Sequence, residues 1–301
     1  MKILVSDPLE AMAIETMRCA GLTVTVETDL SPEELQRKIP DYDCIMVRSA
    51  TKVCPSLIDA AQRLKLIVRA GVGTDNIDVE YAKANGITVC NTPAASSNAV
   101  AELVIGHIFS LARHIARGTV SLKGGKWEKK NLAGCEILGK TLGIIGMGRI
   151  GRLTAQKATA LGMRVIAYDK FVQKDLPEEV EMVQFDDLLA QSDFITLHVP
   201  LSSDRRPLIG AEELSKMKDR SYLINCSRGG VVDEEALLRA LQNGKLRGAA
   251  LDVFTQEPPK NNPLIAMENL SLTPHIGAAT AEAQARVGAE AARIVIDWAR
   301  R

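Results

Sequence analysis

Residues 141–151 read TLGIIGMGRIG, an apolar run that ends in Gly146, Gly148 and Gly151 and passes directly into a helical pattern reaching Leu161. A strand, a glycine turn and a helix in immediate succession predict a βαβ unit on a parallel sheet, and that restricts the chain to the α/β class. In such a unit Gly146 allows the tight turn, Gly148 lets a pyrophosphate approach the backbone, and Gly151 lets the helix pack closely on the strand. The phosphates then sit at the helix N-terminus. Asp169 closes the next apolar run, RVIAYD (164–169), at the separation expected of an acid that bonds the adenosine ribose hydroxyls. A carboxylate there repels a 2′-phosphate, so the predicted cofactor is NAD rather than NADP.

The same alternation recurs on both sides of this unit. From residue 2 to about 93 the β-type runs are KILVSD, LTVTVE, CIMVRSA, LKLIVRAG and ITVCNTP, separated by helical patterns. In one of these, SPEELQRKI, Ser31, Pro32 and Glu34 supply an N-cap, a first-turn proline and a capping-box acid. Residues 96–117 form one long helical pattern, capped by Ser96 or Ser97, that links two domains. After TLGIIG and RVIAYD come EMVQ, DFITLHVP, SYLINCS, RGAALDV and NLSLTP, and the chain closes on one helix. At 301 residues, two domains are the natural expectation.

Charge and composition exclude several function classes. Basic and acidic residues balance at 37 each without long runs of either sign, so no broad surface for nucleic acid or anionic lipid is expected. The six cysteines, at 19, 44, 54, 90, 135 and 226, form no CxxC pair or His/Cys cluster. That pattern predicts no metal site, no disulfide framework, and reduced, mostly buried thiols. The apolar start MKILVSDP is too short for a signal peptide and no window approaches a membrane span, so a soluble cytoplasmic protein is expected.

Ligands of open α/β sheets bind beyond the carboxyl ends of the strands, which makes polar residues just past each apolar run the candidates for chemistry. Arg228 follows SYLINCS, Glu257 follows ALDVF, and His275 stands in SLTPHIGAAT, between a proline and a glycine. Taken singly, each has an ordinary structural explanation as a surface charge, a turn residue or a backbone-bonded histidine. Together they supply a guanidinium fork for a carboxylate, an imidazole for proton transfer and a carboxylate to orient it. Beside a nicotinamide, those are the parts of a hydroxy-acid dehydrogenase.

The motifs VRSATKV, RAGVGTDNID, NTPAASSNAVAE, GKWEKK, GMGRIG, NCSRGGVVDE, GAALDVFTQEPP and TPHIGAAT extend this reading along the chain. With them the sequence resembles the D-isomer-specific 2-hydroxyacid dehydrogenases over essentially its whole length, and within them the phosphoglycerate dehydrogenases most. The resemblance implies that Arg228 grips the substrate carboxylate and 2-oxygen, that His275 is the general acid/base and that Glu257 supports it. It also implies that Asp252 lies near the nicotinamide, that Arg149 and Ile150 line the pyrophosphate, and that Val72, Val199, Cys226 and Gly277 add cofactor contacts. Gly71 and Gly73 would present backbone N–H groups to the substrate carboxylate. The implied architecture is a pair of doubly wound parallel-sheet domains: a Rossmann NAD-binding domain (94–276) inserted into a flavodoxin-like substrate domain (1–93, completed by the closing helix of 277–301). The active site would then lie in the cleft between domains. The resemblance further implies a homodimer formed through the nucleotide domain, with GGKWEKKNL in an extended arm.

The implied reaction is NAD-dependent oxidation of D-3-phosphoglycerate. Arg48 and Arg69, at strand ends of the first domain, are the candidate phosphate ligands, with Lys129 as a further cation; the alternative for both arginines is an ordinary strand-end charge or salt bridge. A glyoxylate or hydroxypyruvate reductase would share the trio without the phosphate clamp. The C-terminal binding protein corepressors, NADH-sensing interaction proteins, also resemble this family. Because the chain ends at Arg301, just after the closing helix, no serine-binding regulatory domain is expected.

Overall fold

Runs of three to six residues, mostly apolar, become parallel strands in the computed structural model, which describes residues 1–172, 176–202 and 204–301. The chain divides into two compact units, one of residues 1–97 with 278–301 and the other of residues 98–277. Both are α/β, as the alternation predicts.

In the first unit, β1 (Lys2–Val5), β2 (Thr23–Val26), β3 (Cys44–Val47), β4 (Leu66–Arg69) and β5 (Thr88–Asn91) form a parallel sheet in the order β2-β1-β3-β4-β5. This is the flavodoxin-like order. Its helices follow local rules: Pro32–Lys38 starts on Ser31 with the full capping box to Glu34. The helix Ala281–Ala299 is capped by the Thr280 hydroxyl and covers one sheet face, where Val287, Ala291 and Val295 join Ile3, Met17 and Val68 in one apolar cluster.

The second unit contains β6 (Thr141–Ile145), β7 (Arg164–Tyr168), β8 (Val180–Met182), β9 (Phe194–Leu197), β10 (Ser221–Asn225), β11 (Leu246–Leu251) and β12 (Leu270–Leu272). They pair in parallel in the order β12-β11-β10-β9-β6-β7-β8. The connection reverses direction between β6 and β9, which is the switch point where doubly wound sheets bind dinucleotides. Strands β6, β9 and β10 are buried along their whole length because helices cover both faces. Leu142, Ile144 and Ile195 have no exposed surface, and each such side chain contributes roughly 1.5–3 kcal/mol of burial free energy.

Two expectations need correction. The single crossover helix predicted over 96–117 is broken into Ser97–Ala112 and Ile115–Lys123, bent by 64°. His114 takes a left-handed conformation at φ 53°, and the Ala112 carbonyl accepts from Cys135 N–H at 2.8 Å. The returning segment crosses there so closely that a Cβ on Gly134 would stand 2.2 Å from that carbonyl oxygen. The second correction concerns the thiols. All six are unpaired, but only Cys44 and Cys226 are buried; Cys19 and Cys54 are exposed because they stand at the ends of solvent-facing helices. No single helix among the described residues is long and apolar enough to cross a membrane.

Candidate active site

The glycine turn after β6 shows why each glycine stands where it does. Gly146 has φ +101°, and a Cβ there would lie 2.5 Å from the His198 carbonyl oxygen and 3.0 Å from Val199 Cγ1. A Cβ on Gly151 would lie 2.1 Å from the Gly146 carbonyl oxygen, so helix and strand touch through bare backbone. Gly148 is different: nothing stands within 4 Å of its Cβ position, and it caps the helix Arg149–Ala160 without any side-chain acceptor. The first-turn N–H groups therefore open onto free space, flanked by exposed Arg149 and half-buried Ile150. That cradle fits the pyrophosphate of a dinucleotide.

Asp169 is tied into the same loop. Its Oδ2 accepts from Met147 N–H at 2.7 Å, and its Oδ1 accepts from Phe171 and Val172 N–H at 2.7 and 2.9 Å. Burial pushes this carboxyl up, but the three backbone donors outweigh it and hold the pKa below the usual carboxylate range. The negative charge lies at the end of β7, next to the strand that carries the glycine turn. Val199 follows β9 and packs over Gly146, while Cys226 follows β10 in an apolar environment that raises its thiol pKa well above normal.

The catalytic candidates lie at the ends of β10, β11 and β12 in this unit. His275 Nδ1 and Glu257 Oε2 are 2.6 Å apart, and both side chains remain partly exposed. Glu257 is itself anchored, because its Oε1 accepts from Phe254 N–H at 3.1 Å. With Nδ1–H donated to the carboxylate, Nε2 is the nitrogen left to exchange a proton with a substrate. Arg228 leaves the neighbouring strand. Its Nη1 donates to the Ser227 carbonyl at 2.7 Å, and its own carbonyl accepts from Asn225 Nδ2 at 2.9 Å. The next residue explains how the two turns meet: a Cβ on Gly229 would fall 1.8 Å from the Phe254 carbonyl oxygen. The turn carrying Arg228 thus rests on the residue that anchors Glu257.

Asp252, almost fully buried, organises the His275 turn. Its carbonyl accepts from His275 N–H at 2.8 Å, its Oδ1 from Ile276 N–H at 2.8 Å and its Oδ2 from Gly277 N–H at 2.9 Å. Thr273 adds a fourth bond, donating its hydroxyl to Oδ1 at 2.6 Å. His275 has φ 53°, a left-handed conformation uncommon outside glycine, and these bonds hold it there.

The remaining candidates belong to the other unit. Arg48 follows β3 and Arg69 ends β4, which are adjacent strands with Val47 paired to Arg69. The Arg48 turn is fixed by two residues that the motif reading overlooked. Buried Asp7 accepts from Arg48 N–H, Thr51 N–H and the Thr51 hydroxyl, and Asn76 Nδ2 donates to the carbonyls of Arg48 and Thr51. The Arg69 guanidinium folds over Gly71, where a Cβ would meet Nη1 at 1.2 Å, so this glycine is required for the arginine to lie flat on the loop. The Val72 carbonyl accepts from Asn91 Nδ2 at 2.5 Å, and Gly73 follows in the same turn. Lys129 lies in a short 3₁₀ turn of the nucleotide-binding unit, away from these arginines in the chain. Among the described residues no group of three or more His, Cys, Asp or Glu side chains is placed to hold a metal ion.

Comparison with known proteins adds an independent line. Residues 105–277 match the model of the D-isomer specific 2-hydroxyacid dehydrogenase NAD binding domain. A hydroxypyruvate reductase of Thermotoga maritima is 52% identical over 294 residues, covering 96% of this chain and 95% of that one. A D-3-phosphoglycerate dehydrogenase of Methanocaldococcus jannaschii is 50% identical over 291 residues, covering 96% of this chain. The chain spans about half the length of that relative, 55%. The crystal structure of D-lactate dehydrogenase from Aquifex aeolicus, complexed with NAD and lactic acid, superposes with a TM-score of 0.89 at 32% identity, covering 100% of this chain and 96% of that one.

Proposed function

Because the chain belongs to the D-isomer specific 2-hydroxyacid dehydrogenase family, we propose that it interconverts a small D-2-hydroxy acid and its 2-oxo acid with NAD, and that the substrate is D-3-phosphoglycerate. The observation that carries the reaction class is the His275–Glu257 pair at 2.6 Å, in the same unit as the dinucleotide turn. When bound, NAD⁺ supplies the hydride acceptor for C2. His275 accepts the hydroxyl proton at Nε2, Glu257 stabilises the resulting imidazolium, and Arg228 holds the carboxylate and the carbonyl dipole that develops at C2. The balance is hydroxy acid and NAD⁺ in, oxo acid, NADH and one proton out. Reduction runs the same steps backwards.

The phosphate is the finer part of the reading. Its support is the identity with a phosphoglycerate dehydrogenase and the two arginines at adjacent strand ends, one of them on a turn that Asp7 and Asn76 fix. A second reading has equally specific support, since the reductase relative is 52% identical and matches along nearly its full length. In that reading the same trio reduces hydroxypyruvate and the arginines bind no phosphate. Exposed large apolar side chains of the nucleotide-binding unit, among them Ile115, Val120, Leu122, Trp127 and Leu138, support a homodimer that covers some of them.

The deciding experiment follows NADH absorbance with 3-phosphohydroxypyruvate, hydroxypyruvate and glyoxylate and compares kcat/KM. A large preference for the phosphorylated acid, with KM for that compound alone rising about tenfold or more in Arg48→Ala and Arg69→Ala, supports the first reading. Preference for the unphosphorylated acids selects the second.

A further inference from the structure

A buried polar chain runs from the helix Ser97–Ala112 to the turn that carries His275. His107, only 3% exposed, points two ring nitrogens at two hydroxyls of the opposite strand end: Nδ1 is 3.0 Å from Ser271 Oγ and Nε2 is 3.1 Å from Thr273 Oγ1. Ser271 Oγ in turn lies 2.9 Å from Ser110 Oγ. At the other end, Thr273 donates to Asp252, the residue that holds the N–H groups of His275, Ile276 and Gly277. All these groups belong to the nucleotide-binding unit.

Donor counting fixes the direction of the bonds between His107 and Asp252. The Thr273 hydroxyl has one hydrogen and gives it to a carboxylate, which can only accept, so towards His107 it must itself accept. Nε2 of His107 therefore carries the hydrogen. Burial pushes the His107 pKa below the ordinary histidine range, against the pull of Asp252, so the ring is neutral and Nδ1 is an acceptor. Ser271 Oγ faces Nδ1 at 3.0 Å and also lies 2.9 Å from Ser110 Oγ. The Nε2–H and the Thr273 hydroxyl point the same way, towards Asp252, an arrangement in which each bond strengthens the next.

We propose that His107 is a positioning residue for the acid/base histidine: its Nε2–H fixes the Thr273 hydroxyl on Asp252, and Asp252 fixes the left-handed turn that presents His275. This role rests on the reading of His275 given above. A helix-borne imidazole with only a packing role would need neither both ring nitrogens bonded nor the strand-end hydroxyls at 271 and 273.

The test uses His107→Leu and His107→Gln in the full chain, with kinetics on the best 2-oxo acid. Gln can offer a side-chain N–H to Thr273; Leu keeps the apolar bulk and removes the bond. The expected result is a fall in kcat of about tenfold for His107→Leu, with KM for the oxo acid and the Kd for NADH within about twofold of wild type. His107→Gln should recover most of the loss. An active wild type with kcat unchanged in His107→Leu, or equal losses in both variants, overturns the proposal. ¹⁵N-histidine spectra of the wild type provide a readout independent of turnover. With four histidines in the chain, assignment by single substitution is direct, and His107 should show the Nε2–H tautomer with a slowly exchanging proton. An Nδ1–H tautomer or a rapidly exchanging proton refutes the relay whether or not the enzyme turns over. Failure of the wild type on every 2-oxo acid, with the Nε2–H signal present, would instead refute the proposed function.

Discussion

The three glycines of the dinucleotide turn make unequal demands, and Gly148→Ala separates folding from binding most cleanly. No atom lies within 4 Å of the position its methyl would take, and the backbone there, at φ −70° and ψ −161°, is open to any L-residue. The methyl meets no atom of the protein. Alanine is a poorer N-cap than glycine but loses less backbone entropy on folding, and the two effects nearly cancel, leaving stability within about 0.5 kcal/mol of wild type. The same methyl, however, fills the space through which a pyrophosphate reaches the N–H groups of the helix Arg149–Ala160. Losing one or two hydrogen bonds to a charged group costs about 1.5–3 kcal/mol each, so NADH should bind roughly ten- to a hundredfold more weakly at the least. Gly151→Ala should behave differently, because its methyl would stand 2.1 Å from the Gly146 carbonyl oxygen and must push the helix off β6, costing about 1–3 kcal/mol of stability as well as affinity. Thermal melting without ligand and NADH fluorescence titration, run on both variants, read the two quantities separately. Normal NADH affinity in Gly148→Ala would refute the placement of the pyrophosphate over this turn.

Other side chains give equally direct tests. His275→Asn should lower kcat by about a hundredfold or more while NADH binding stays within about twofold, and near-normal turnover would remove His275 from the proton transfer. Asp169→Ala should narrow the preference for NADH over NADPH by removing the charge that repels a 2′-phosphate; unchanged discrimination would place the ribose contact elsewhere. The same carboxyl has a pKa lowered in the folded protein, so its contribution to stability is present above the unfolded value of about 4 and is lost as pH falls through the folded one. Asp169→Ala should therefore cost stability at neutral pH and less in strong acid, which urea unfolding at several pH values measures. His198 acts in the same direction at higher pH. Burial holds its pKa at about 3, so below about pH 6.5 the unfolded chain takes up a proton that the folded one refuses, and stability falls by up to ~1.4 kcal/mol per pH unit. His198→Asn should flatten that part of the acid limb, and an unchanged slope would show that other groups cause it.

What could be read from sequence and what could not divides along the range of the interactions. The strands of both sheets are legible because a parallel strand buried on both faces is an uninterrupted apolar run, and the dinucleotide turn is legible because its three glycines answer to contacts within one βαβ unit. Strand-end placement also singles out Arg228, Glu257 and His275 from residue type alone, since a parallel sheet gathers those ends on one edge. The break at His114 escaped because its cause is the Cys135 N–H on the Ala112 carbonyl, more than twenty residues downstream. In its own segment the apolar spacing runs straight through. Asp7 escaped for a similar reason: its bonds to Arg48 and Thr51 span 41 and 44 positions, and in KILVSDP it reads as a turn residue. His107 is the extreme case. Its partners lie 164 and 166 residues away, and on a helix of apolar residues an imidazole looks like core. Yet the hydroxyls that receive it, Ser271 and Thr273, frame the motif that pointed to His275 in the first place. Sequence pattern locates the imidazole proposed to move the proton, because it stands where a strand ends; the groups proposed to hold it still are chosen by packing across the domain, and packing leaves no local signature.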